Sequence, residues 1–115
     1  MKRREDVELP EKIQRILDRI VEEAQKLGRL EAVILFGSWA TGRADADSDV
    51  DVLVVADVDD EIEAAARLRL ALYGAGLPLD IVVYSSREWQ WARDLPGFAT
   101  WDASKRGILW HGRAA

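Results

Sequence analysis

With 115 residues, a mass of 12.9 kDa and a net charge of −5, the chain has room for one domain with a modest core, and it is too acidic overall for a general nucleic-acid binder. It holds no cysteine and one histidine, which excludes a disulfide framework, thiol chemistry and a structural zinc site. The longest apolar runs, Ala32–Phe36 and Val52–Ala56, are too short to span a bilayer, and Glu5, Asp6 and Glu8 stand where a signal peptide needs an apolar stretch, so a cytoplasmic protein without a membrane partner is expected.

Residues 1–8 read as a solvated arm. Pro10 suits a helix start, and Ile13, Ile16, Leu17, Ile20, Val21, Ala24 and Leu27 recur at helical spacing until Gly28 stops the pattern. Glu31–Phe36 is short, apolar and β-branched, the pattern of a buried strand. A loop rich in Gly, Ser and Asp follows over Gly37–Ser48, with one helical turn from Ser38. Val50–Ala56 is a second strand. Asp59–Tyr73 reads as a helix with acids in its first turn and Gly74 and Gly76 closing it. Leu79–Tyr84 is a third strand, and Ser85 with Glu88 has capping-box spacing for a short helix to about Arg93. Phe98–Arg106 reads as a further helix and Gly107–His111 as a short edge strand. The order predicts one small α/β domain of the α+β type: a mixed sheet of three main strands and a short edge strand, with helices packed on it.

The charge is unevenly distributed. Between Ala44 and Ala66 there are nine acids and no Lys or Arg. Side chains alternate along a strand, so Asp49 and Asp51 share a face at the start of the second strand. A helix joins the second and third strands, which favours a parallel crossover and brings Asp80 to the same sheet end. The first connection has no long helix, so an antiparallel pair is expected, delivering Gly37 and Ser38 there too. Three carboxylates at one sheet end repel unless a counter-charge joins them, and oxygen donors alone suit a hard cation such as Mg²⁺ or Mn²⁺. Gly37 permits close backbone approach, and Ser38 adds a hydroxyl at the start of a helical turn whose free N–H groups suit a phosphate. These are the parts that phosphoryl or nucleotidyl transfer requires.

Two other motifs fail. Gly37–Ala44 follows a strand like a P-loop, but Arg43 and Ala44 replace the phosphate lysine and the metal-binding hydroxyl. Asp45, Asp47 and Asp49 start like a calcium loop, but Val50 stands at the required glycine and Ala56 at the closing glutamate.

Gly37-Ser38, ten intervening residues and Asp49-Val50-Asp51 resemble the signature of the DNA polymerase β-like nucleotidyltransferase superfamily, and Asp80 in Leu-Asp-Ile-Val-Val resembles its third carboxylate. The short chain resembles the minimal nucleotidyltransferases, including antitoxins paired with a HEPN-domain toxin. The resemblance covers roughly residues 10–112, leaving 1–9 as the arm and 113–115 as a tail. It implies Asp49, Asp51 and Asp80 as catalytic and metal-binding residues, Gly37 and Ser38 at the nucleotide, and Mg²⁺ or Mn²⁺ with ATP as donor. It further implies transfer of AMP to a hydroxyl, on a tyrosine of a HEPN-domain partner. The alternative is a catalytically weak or silent subunit that neutralises its partner by contact, and a homo-oligomer is left open. Thr41 stands where many relatives have Arg, with Arg43 two residues on. Trp39, directly after the phosphate serine, is expected to narrow or stack against the nucleotide site. Trp89 and Trp91 are two apart, so one of them is expected at the surface.

Overall fold

Continuous apolar runs rich in β-branched residues fold here into a five-stranded mixed sheet covered by helices on both faces. A computed structural model describes residues 1–114. In chain order the elements are β1 (Lys2–Arg3), a 3₁₀ turn (Arg4–Asp6), α1 (Glu11–Gln25), β2 (Arg29–Phe36), α2 (Ser38–Thr41) and β3 (Val50–Asp57). They continue with α3 (Glu61–Ala71), β4 (Leu79–Tyr84), α4 (Ser86–Ala92), α5 (Ala99–Arg106) and β5 (Ile108–Gly112). No helix among the described residues is long and apolar enough to cross a membrane.

The strand order is β1-β5-β2-β3-β4. β2 and β3 are antiparallel and β3 and β4 parallel, as the lengths of their connections dictate. Every residue from Ala32 to Phe36 and from Val52 to Ala56 is buried, because both sheet faces are covered. On one face α1 and α3 pack over Val33, Leu35, Val52, Val54 and Ile81. The stripe Ile13, Ile16, Leu17, Ile20 and Ala24 is the buried side of α1. Each large member of it contributes about 1.5–3 kcal/mol of apolar burial. On the other face Trp89 of α4 and Ala103 of α5 cover Ala32, Ile34, Phe36, Leu53 and Val55. Two buried hydroxyl bonds join these short helices: Thr100 Oγ1 donates to the Ala92 carbonyl at 2.9 Å and Ser104 Oγ to that of Arg93 at 2.7 Å.

Three expectations are corrected. The strand at Ile108–Gly112 is not an edge: it lies between β1 and β2, and β1 raises the strand count to five. The N-terminal residues are solvent-exposed from Met1 to Asp6 but also docked. Lys2 N–H donates to the Gly107 carbonyl at 3.0 Å, and the Arg4 guanidinium lies 4.0 Å from the centre of the Trp110 ring and 3.3 Å from Asp18. The Trp110 indole N–H donates to the same Asp18 carboxylate at 2.9 Å. The terminal residues Arg113 and Ala114, read as a tail, are held too. Arg113 N–H donates to the Glu31 carbonyl and Arg93 to that of Ala114, each at 2.9 Å, while Ala115 lies outside the described residues. Of the tryptophan pair, Trp89 is 1% exposed and Trp91 72%, as the two-residue spacing requires.

Candidate active site

The sheet register builds the site. Phe36, the last residue of β2, stands opposite Asp51 of β3, and Asp51 stands opposite Asp80 of β4. The chain leaves β2 into Gly37 beside that row. Gly37 has φ 73° and ψ −152°, and a Cβ there would lie 2.2 Å from Asp51 Oδ2. Both facts require glycine: the backbone is in a region L side chains avoid, and the Asp51 carboxylate fills the space a side chain would need.

The next four residues form α2. The Gly37 carbonyl accepts from Ala40 N–H, Thr41 N–H and the Thr41 hydroxyl, and Gly42, at φ 77°, ends the turn. Trp39, expected to narrow or stack against the nucleotide site, is half-buried. Its ring packs on the core beneath α1 and α3, and its indole N–H donates to the Ser48 carbonyl at 3.1 Å. It therefore pins the loop that delivers Asp49. Within that loop Asp45 Oδ1 accepts from Asp47 N–H at 2.9 Å and from the Ser48 hydroxyl at 3.2 Å, a local turn bond for a side chain free of the site. Asp60 accepts from Glu63 N–H at 3.0 Å as the cap of α3. Thus Asp45 and Asp60 serve loop and helix, while Asp51 and Asp80 face each other across two strands. Arg43 is exposed and forms no ion pair among the described residues.

Asp49 and Asp80 are exposed and Asp51 is half-buried. Burial, then the charges of Asp80, Asp49 and Asp102, push the Asp51 carboxyl from 3.8 up to about 6. Asp102, on α5, carries no motif signal in the sequence. It reaches the site because its neighbour Ala103 packs with Phe36 under the same sheet face, and its carboxylate lies 4.0 Å from Arg106 Nε. Among the described residues no group of three or more metal-ligating side chains could hold an ion as it stands. The donor chemistry nonetheless fits a hard divalent cation, because Asp49, Asp51 and Asp80 are oxygen donors alone.

This fold, with its Gly-Ser turn against a carboxylate pair, is that of a nucleotidyltransferase. The chain belongs to the nucleotidyltransferase domain family, which matches residues 5–100. A candidate minimal nucleotidyltransferase of solved structure is 30% identical, with 85% of this chain and 92% of that chain covered and a TM-score of 0.61. A candidate nucleotidyltransferase from Sulfolobus solfataricus shares the fold at 24% identity and a TM-score of 0.61, covering 89% of this chain and 84% of that one. A toxin–antitoxin structure with AMP-PNP is 25% identical with a TM-score of 0.52, covering 84% of this chain and 73% of that chain. A comparison with curated proteins gave no match.

Proposed function

We propose that the chain transfers AMP from ATP to a hydroxyl of a partner protein, a tyrosine of a HEPN-domain toxin, and thereby acts as the antitoxin of the pair. The observation that carries the reading is Gly37 seated against Asp51, with Asp80 opposite it in register. The toxin–antitoxin relative, 25% identical and solved with AMP-PNP, supports a toxin as partner and an adenine nucleotide as donor.

In this reading the Gly37 backbone, with the hydroxyl and the free amide of Ser38 at the start of α2, receives the phosphate oxygens. Asp49, Asp51 and Asp80 would hold Mg²⁺ or Mn²⁺. The cation, when bound, offsets the charge of the triphosphate and acidifies the acceptor hydroxyl. The acceptor oxygen bonds to the α-phosphorus in line with the departing pyrophosphate, and its proton passes to a site carboxylate, of which Asp49 and Asp80 are the exposed ones. The chain contributes alignment and a prepared charge environment rather than covalent chemistry. In this reading the acceptor hydroxyl belongs to the partner protein.

The test combines purified protein, Mg²⁺, ATP labelled on the α-phosphate and the cognate HEPN protein. Label should appear on the partner and vanish with Asp49→Asn or Asp51→Asn. Neutralisation of the toxin that survives both substitutions would assign it to contact alone.

A further inference from the structure

Helix α3 presents an apolar stripe to solvent. Its buried side is Ala64, Ala65 and Leu68, yet Ile62 is 84% exposed, Leu70 78% and Tyr73, just beyond the helix, 89%. With exposed Ala66 between them, these residues fall at spacings of four, four and three, one continuous strip on the side away from the sheet. Exposed apolar residues scattered singly are ordinary; a strip of this kind marks an interaction surface.

The charges around the strip are ordered. Asp59, Asp60, Glu61 and Glu63 lie at the N-terminal end, and Arg67 and Arg69 in the C-terminal half. Arg69 is engaged, donating to the Ile81 carbonyl at 2.7 Å. Glu63 and Arg67 flank the strip on one side and form no ion pair among the described residues. An acidic half and a basic half about a central alanine make the surface complementary to itself when reversed.

We propose that this chain forms a symmetric homodimer through α3, the two helices antiparallel with Ala66 meeting Ala66 at the twofold axis. Ile62 of each copy packs on Leu70 of the other, and Glu63 pairs with Arg67. Tyr73 reaches the acidic N-terminal end of the opposite helix. The small Ala66 lets the helices approach, and their antiparallel dipoles add to the match. Charge complementarity about Ala66 is what selects a second copy as the occupant. This inference is independent of the transfer reaction, because none of its residues belongs to the site.

Sedimentation or light scattering of the full chain, between about 5 and 500 μM, should show the mass rising toward twice 12.9 kDa. Leu70→Glu should keep it at one chain mass with an unchanged circular dichroism spectrum. Arg67→Glu should weaken the dimer about tenfold or more, and the exchange Glu63→Arg with Arg67→Glu should restore it. Because the chain has no cysteine, Ala66→Cys supplies a lone thiol that should give a disulfide-linked dimer under mild oxidation, whereas Lys12→Cys on α1 should not. A monomer across the whole range would overturn the proposal, as would equal cross-linking at both positions. A monomer whose Leu70→Glu variant loses the HEPN protein would assign the strip to that partner instead.

Discussion

Replacing Asp51 with Asn should stabilise the apo protein while abolishing its chemistry. Asp51 binds its proton more tightly in the folded chain, at about 6 against 3.8. The folded state is thus favoured where Asp51 is protonated, and that advantage is lost as pH rises from about 4 through 6. A two-unit shift corresponds to at most about 3 kcal/mol, and solvent access to this half-buried group reduces it to about 1 kcal/mol. For a chain of this size that is about 4 °C in melting temperature. The assay is thermal unfolding of wild type and Asp51→Asn, without divalent ions, at several pH values. The difference should be near zero at pH ~4 and grow to about 4 °C in favour of Asn at pH ~7.5. Adding Mg²⁺ at the higher pH should raise the wild type and leave the variant unmoved. A difference independent of pH, or one favouring Asp51, would refute the reasoning.

Gly37→Ala should cost about 1–3 kcal/mol in denaturant unfolding, since it adds a Cβ 2.2 Å from Asp51 Oδ2 at a positive φ, and it should weaken ATP binding measured by calorimetry. Trp39→Phe keeps an aromatic ring but deletes the bond to the Ser48 carbonyl; about 1 kcal/mol should be lost, and limited proteolysis should accelerate within residues 42–49. Asp60→Ala removes the cap of α3, so stability should fall by about 1 kcal/mol while transfer activity stays at the wild-type rate.

Much of this architecture is legible in the chain because its signals are local. The helical stripe of α1, the three apolar strand runs and the Ser85 cap each depend on neighbours a few residues away. The meeting of Asp51 and Asp80 is legible for a related reason: both lie at strand starts, with Asp49 just before β3, and connection length decides which strand ends meet. What stayed hidden depends on distant partners. β1 is two residues long and exists only because it pairs with β5 at the other end of the chain, which also makes β5 an inner strand. The role of Trp39 in holding its loop depends on the Ser48 carbonyl, which meets the indole only once the loop has folded back. Asp102 lies on a short helix whose seat under Phe36 no periodicity encodes.

In the proposed function the chain, through the carboxylates beside Gly37, transfers a nucleotide to a protein hydroxyl. Mass spectrometry of the HEPN partner after incubation with this chain, ATP and Mg²⁺ tests it most directly. An added AMP should appear on a tyrosine and be absent when Asp49 and Asp51 are both Asn. An unmodified partner, neutralised equally well by the double variant, would contradict it.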